Sequence, residues 1–93
     1  MTDKANFGRA LKKLRLVRGL TQEDFSLVSS RTYISTLERG IKSPTLEKIE
    51  LLAETLKVSP LTLLALTFTR DADIDHAHEL LNIVKEELTR LEE

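Results

Sequence analysis

A short polar segment near the middle of the chain carries the side chains best suited to chemistry. Between Ser30 and Gly40, apolar residues stand at Ile34 and Leu37, three positions apart. The other side chains of this segment are mostly small hydroxyls and guanidinium groups, which form directional hydrogen bonds. A helix with this pattern would be anchored by its apolar side, and its polar side would remain available for binding.

The distribution of charge indicates what kind of partner such a surface would meet. Residues 1–48 hold ten Lys and Arg against five Asp and Glu, a net charge of +5. Residues 49–93 hold four against ten, a net charge of −6, so the whole chain has a net charge of −1. A basic half on a nearly neutral chain favours a polyanion as its partner. A chance division of charge, which is common in small domains, is the alternative.

The residue types give little indication of catalysis or metal binding. The chain has no cysteine, which excludes disulfides and thiolate metal sites, and it has neither a Gly-rich phosphate loop nor a nucleophile paired with a base. His76 and His78 stand beside Asp73, Asp75 and Glu79, but two imidazoles two positions apart on a helix point away from each other. We therefore expect no enzyme activity, no metal and no cofactor.

The elements that would position the polar segment are all helical. Apolar residues recur with a helical period at Phe7, Ala10, Leu11 and Leu14, and Gly19 follows as a helix end. A second helix begins after Thr21 and is expected to end near residue 27. The chain contains 93 residues, of which 41% are hydrophobic, and this favours one small domain. It has only three Gly and two Pro, too few for the turns of an all-β fold, so we expect the all-α class.

The remaining helices begin at recognisable caps. One spans residues 31–39 and stops at Gly40, one follows Ser43, and one follows Ser59 with Pro60 in its first turn. A last helix, capped by an aspartate before residue 74, runs to about Leu91. No apolar run approaches the ~20 residues of a membrane span, so we expect an intracellular, soluble chain that does not contact membranes.

Three separately spaced segments resemble the Xre/Cro-type helix-turn-helix regulators, which include phage repressors and restriction controllers. They are LTQEDF at residues 20–25, YISTLERG at 33–40 and SPTL at 43–46, and the resemblance covers about residues 5–67. It implies a five-helix, lambda-repressor-like DNA-binding domain over residues 1–69, with a C-terminal helix over residues 70–93. It also implies a cytoplasmic protein whose partner is a double-stranded DNA operator.

The resemblance assigns roles to individual residues by motif position. The residues expected to read base edges in the major groove are Arg31, Thr32, Ser35 and Thr36. The residues expected to contact the DNA backbone are Gln22, Ser30, Tyr33, Arg39, Lys42 and Ser43. Glu38 matches the position that pairs with a basic residue of the first helix, here Arg15. The turn between the second and third helices departs from the family because it lacks glycine and is about two residues shorter.

The last helix carries a separate, heptad-like pattern of apolar residues. Its residues at positions a and d are Ile74, Ala77, Leu81, Val84, Leu88 and Leu91. We expect these residues to form a homodimer interface, and a two-fold dimer would bind a palindromic operator. The alternative is that the helix packs on its own domain. A second functional hypothesis is a protein-interaction or antitoxin-like subunit whose acidic C-terminal helix binds a partner protein of unknown identity.

Overall fold

Five α-helices and two short 3₁₀ helices form the fold of residues 4–92, the part of the chain that the computed structural model describes. The α-helices are α1 (Lys4–Val17), α2 (Arg31–Glu38), α3 (Leu46–Leu56), α4 (Pro60–Thr67) and α5 (Ile74–Leu91), and the 3₁₀ helices are Gln22–Phe25 and Arg70–Ala72. The described residues contain no strand, and the predicted all-α class is confirmed. The predicted outer domain limits, residues 1 and 93, lie outside the described range, and the division at residue 69 stays a prediction.

The first helix ends where the sequence places a glycine. Gly19 has a φ of +71°, a left-handed conformation that glycine adopts without steric cost. Its N–H donates to the carbonyl of Leu16, and the N–H of Leu20 donates to the carbonyl of Arg15, both at 3.0 Å. These two bonds satisfy carbonyls at the helix end and reverse the chain towards the next element.

The second helix is shorter and tighter than predicted. Instead of an α-helix that ends near Leu27, the chain forms a single 3₁₀ helix that ends at Phe25. Phe25 is fully buried, and the amides of Val28 and Ser29 both turn back to its carbonyl at 2.9 Å. The chain therefore bends as soon as Phe25 has entered the core, and Leu27 lies fully exposed on the outside of the bend.

The core lies between α1 and the helices on either side of it. Its largest fully buried apolar side chains come from every part of the domain up to α4: Phe7, Leu11, Phe25, Ile34, Leu37, Leu52, Leu56 and Leu63. Burial of each such side chain contributes about 1.5–3 kcal/mol. The helices α1 and α2 approach so closely at Gly8 that a Cβ atom there would lie 2.6 Å from the carbonyl oxygens of Leu37 and Glu38.

A strained turn connects α4 to α5. Asp71 and Ala72 both have left-handed backbones, with φ values of 55° and 53°, which costs about 1–2 kcal/mol for each residue other than glycine. Two hydrogen bonds support the turn. The Nζ of Lys13 donates to the carbonyl of Ala72 at 2.8 Å, and the N–H of Asp73 donates to the hydroxyl of Thr69 at 2.8 Å.

The two ends of α5 have different surroundings. Ala77 is buried in the core of its own domain and has little surface left for a partner, whereas Ile74, one turn earlier, is 52% exposed. The predicted place of these two residues in a dimer interface stays a prediction. From Leu81 onwards every described residue of α5 is exposed. The helix therefore projects from the domain, in a molecule that measures 45 × 23 × 23 Å. No described helix combines the length and apolar character needed to span a bilayer.

Candidate nucleic-acid interface

The polar and apolar sides of α2 separate as the sequence predicts. Ile34 and Leu37 are fully buried and fix the helix on the core. At 100° per residue, the four predicted base-reading residues and Arg39 fall within an arc of about 140° on the opposite side. Arg31, Thr32 and Arg39 are exposed, and Ser35 and Thr36 are half-buried. The structure thus brings all four predicted base-reading residues onto one outward surface.

Both ends of α2 are capped by residues identified in the sequence. The hydroxyl of Ser30 accepts a hydrogen bond from the N–H of Tyr33 at 3.1 Å, as expected of an N-cap. At the other end, Gly40 has a φ of +75°, and the N–H of Ile41 donates to the carbonyl of Thr36 at 3.1 Å. The hydroxyl of Ser30 only accepts in this cap, so its proton stays available to donate in the predicted contact with the DNA backbone.

A buried ion pair holds α2 against α1. The guanidinium of Arg15 binds the carboxylate of Glu38 through two bonds, with Nε 2.6 Å from Oε2 and Nη2 3.0 Å from Oε1. The side chains are only 11% and 5% exposed. The hydrogen bond from Arg15 to Glu38 raises the pKa of the guanidinium, so Arg15 remains charged. The predicted pairing of these two residues is confirmed.

Gln22 joins the same network from the start of the 3₁₀ helix. Its Nε2 donates to Oε1 of Glu38 at 3.1 Å, and Nη1 of Arg15 donates to the carbonyl of Leu20 at 3.0 Å. Gln22 therefore braces α2, the next α-helix along the chain, through Glu38. Its other role, a contact with the DNA backbone, stays a prediction.

Two of the predicted base-reading residues already have partners within the chain. Nη1 of Arg31 lies 3.2 Å from Oε1 of Glu23, and both side chains are about two-thirds exposed. The hydroxyl of Thr36 donates to the carbonyl of Thr32 at 2.7 Å, which leaves its oxygen able to accept. Exposed ion pairs contribute little to stability, so a ligand can displace Glu23 from Arg31 at small cost.

The predicted backbone contacts surround α2. Lys42 and Ser43 are exposed in the segment that follows Gly40. The Nε of Arg39 donates to the carbonyl of Ser35 at 3.4 Å, which leaves the other guanidinium nitrogens facing outward from an exposed side chain. Tyr33 is half-buried against the core, and the Nζ of Lys48 lies 5.5 Å from the centre of its ring.

The structure separates two basic residues of α1 from the binding surface. The Nζ of Lys13 binds the turn before α5, and the Nε of Arg9 lies 3.7 Å from Oδ1 of Asp71. Lys13 therefore supports the attachment of α5, and the exposed Arg9–Asp71 pair adds little to it. Sequence reasoning missed both Glu23 and Lys48, since neither, unlike Glu38, stands at a motif position for which the resemblance implies a partner in another element.

The histidines of α5 lie in its first turns, beside the aspartate that caps the helix. His76 is half-buried and His78 is exposed, and the Oδ1 of Asp73 accepts from the amides of Asp75 and His76 as a helix cap. Among residues 4–92, no group of three or more His, Asp or Glu side chains is arranged to hold a metal ion.

Comparison with known proteins agrees with this geometry. The profile of the helix-turn-helix family matches residues 11–63, which is more than half of the chain and contains both the ion-pair network and the whole of α2. A comparison with curated proteins finds no match. With its capped and anchored α2 and its buried Arg15–Glu38 brace, the chain belongs to the Xre/Cro-type helix-turn-helix family of DNA-binding transcriptional regulators.

Proposed function

We propose that the chain is a sequence-specific transcriptional regulator that binds a palindromic operator as a homodimer, with α2 in the major groove. The observation that carries this proposal is the outward surface of α2, where Arg31, Thr32, Ser35 and Thr36 lie together on an eight-residue helix. A helix of this size fits the major groove, which is ~12 Å wide. Its side chains are of the types that bind base edges there. Such a regulator would act in the cytoplasm.

Arg31 and Lys42 are assigned different roles at the interface. Arg31 is exposed near the N-terminal end of α2, and its planar guanidinium suits the two acceptors of guanine. Lys42 is exposed beyond the C-terminal end of α2, in the position expected for a phosphate contact. Base contacts determine sequence preference, whereas phosphate contacts contribute affinity to every sequence.

The exposed part of α5 supports the homodimer. Leu81, Val84, Leu88 and Leu91 continue the apolar stripe past the point where α4 covers it, and each is at least 45% exposed. Beside them lies an apolar groove that α4 and α5 line with Leu61, Phe68, Leu80 and Ile83 among others. A second copy of α5 would cover this surface, and the two-fold axis would set two α2 helices about 34 Å apart.

Selection from a random duplex library, at near-physiological salt, tests the proposal most directly. We expect a two-fold symmetric sequence with half-sites about one helical turn apart. With the selected operator, Arg31→Ala should relax the preference at one base position, at a cost of about 1–3 kcal/mol. Lys42→Ala should weaken all sequences equally and reduce the slope of log K against log salt by about 0.9. A selective loss in Lys42→Ala, or unchanged selectivity in Arg31→Ala, would contradict these roles.

The homodimer is tested by Leu88→Glu, with Leu16→Glu as its control. The two leucines are 58% and 57% exposed, but Leu16 lies on α1, outside the proposed interface. Leu88→Glu should sediment as a monomer and bind the operator poorly because the partner helix would have to bury a charge. Leu16→Glu should remain a dimer. If Leu88→Glu also remains a dimer, α5 is not the interface.

The exposed end of α5, a helix with four acidic and two basic residues, also favours a second candidate, the antitoxin-like or adaptor subunit. Under this alternative, α5 binds a different protein and the outward surface of α2 has no essential role. A folded chain that selects no DNA sequence, but binds a partner through α5, would support it. Loss of that binding in Leu88→Glu, with no change in Arg31→Ala, would separate the two functions.

A further inference from the structure

Lys48 connects three elements around the start of α2. It lies in the first turn of α3, and its Nζ donates to the carbonyl of Val28 at 2.9 Å across to the turn that precedes α2. The same ammonium lies 5.5 Å from the centre of the Tyr33 ring, within the range of a cation–π interaction. Lys48 is half-buried, so both interactions are only partly screened by water.

The position of Lys48 is unfavourable for α3 itself. Thr45 caps this helix and accepts from the N–H of Lys48 at 3.2 Å, which places Lys48 third in the helix. The N-terminal end of a helix carries a partial positive charge, so a cation in its first turn destabilises it slightly. The stability of α3 therefore does not explain a lysine here, whereas the carbonyl of Val28 and the ring of Tyr33 do.

The turn that Lys48 binds has few other attachments. Leu27 is fully exposed, and the backbone bonds of Val28 and Ser29 lead back to Phe25, so the half-buried side chain of Val28, which packs against the core, is the other attachment of the turn. Ser30, which caps α2, follows directly. A small movement of Val28 would therefore pass to Ser30 and Arg31 at the start of the helix.

We propose that Lys48 is a positioning residue that sets where α2 begins, and thereby aims Arg31 and Thr32 at the DNA bases. The proposal rests on the function proposed above. Lys48 touches the turn and Tyr33 and not the outward surface of α2, so it determines sequence preference through other residues. Its loss should therefore affect the base positions read by the first turn of α2 more than those read by Thr36, which lies one turn further from Val28.

The test compares Lys48→Met with Lys12→Met, and it uses Lys48→Arg as a rescue. Lys12 is exposed on α1, so the two methionine variants lose the same charge, and only the first loses the bonds to Val28 and Tyr33. Arginine retains the positive charge, the donors and the ability to stack on an aromatic ring. Amide hydrogen exchange by NMR, without DNA, reports on residues 28–31, and the fluorescence of Tyr33 reports on its ring, since the chain has one Tyr and no Trp.

With DNA, the measured quantity is the ratio of the affinity for the selected operator to that for an operator changed at the base nearest the start of α2. We expect Lys48→Met to lower this ratio about tenfold, the fold-change expected when the contact between Arg31 and its base is partly lost. It should also speed the exchange of residues 28–31. Lys12→Met should weaken both operators equally, and Lys48→Arg should restore the ratio.

Two results would overturn the proposal. One is unchanged exchange at residues 28–31 in Lys48→Met, which would show that Lys48 does not hold the turn. The other is faster exchange with an affinity ratio equal to that of Lys12→Met, which would show that the turn does not aim α2. If the wild-type chain selects no DNA sequence, the proposed function fails, and the exchange data still decide whether Lys48 holds the turn.

Discussion

The Arg15–Glu38 pair provides the sharpest test of how α2 is held, because the chain contains an exposed counterpart with the same chemistry. Glu38→Gln keeps the shape of the side chain but leaves the guanidinium of Arg15 without its counter-charge in a site that is 11% exposed. Glu23→Gln makes the same change at the Arg31 pair, where the side chains are 68% and 70% exposed. The two sites differ in burial and in the number of bonds, since Glu38 accepts two bonds from Arg15 and one from Gln22, whereas Glu23 accepts one from Arg31.

The expected magnitudes follow from that difference. Removing one partner of a buried pair costs about 3–5 kcal/mol. In the Glu38→Gln variant the amide oxygen would still accept one bond from Arg15, so we expect a loss at the lower end, about 3 kcal/mol. An exposed pair contributes about 0–1 kcal/mol, so Glu23→Gln should be nearly neutral. For a domain of this size, about 3 kcal/mol corresponds to a decrease of roughly 12–24 °C in Tm.

Urea unfolding followed by circular dichroism at 222 nm measures both variants. The pKa of Arg15 is raised, so the stabilisation by its charged form is complete at neutral pH and declines only as the pH rises through that elevated value. The difference between Glu38→Gln and wild type should therefore be the same at pH 7 and pH 9. A loss below about 1 kcal/mol, equal to that of Glu23→Gln, would refute the inference that burial makes this pair a structural brace.

Two other predictions concern the placement of α2. Gly8→Ala should destabilise the domain by about 1–3 kcal/mol, since its Cβ would meet two carbonyl oxygens of α2 at 2.6 Å; a gain in stability on thermal unfolding, as expected for an open helical site, would contradict this contact. Ser30→Ala should cost about 1 kcal/mol by removing the N-cap of α2, and Ser26→Ala, at an exposed site in the same turn, should cost less than half of that in the same measurement. Equal losses of stability in the two serine variants would show that the N-cap bond of Ser30 does not stabilise α2.

The sequence predicts most of the fold because the residues that begin and end its helices are recognised from local sequence. Gly19 and Gly40 end α1 and α2, and Ser30 and Thr45 cap the helices that follow them. Each of these signals involves residues within a few positions of one another, so one amino-acid sequence is enough to recognise it. The pairing of Arg15 with Glu38 came from the family resemblance, since the residues are far apart in sequence.

Other features depend on tertiary distances and could not be predicted from local patterns. The heptad pattern of α5 does not show that Ala77 is covered by α4 while Leu88 is exposed, because both occupy the same stripe. The 3₁₀ form of the second helix depends on how soon Phe25 must reach the core. The contact of Lys13 with Ala72, and that of Lys48 with Val28, each join residues from different elements.

The contacts that hold α2 in place determine which of its residues can be substituted during evolution. α2 is held by its close backbone approach to Gly8, by the buried side chains of Ile34 and Leu37, and by the ion pair of Glu38. All of these contacts lie away from the outward surface. The residues on that outward surface contribute little to the stability of the fold. Mutations there can accumulate without loss of the native state, so under the function proposed above a duplicated gene can change its DNA sequence preference in single steps while the rest of the domain stays as it is.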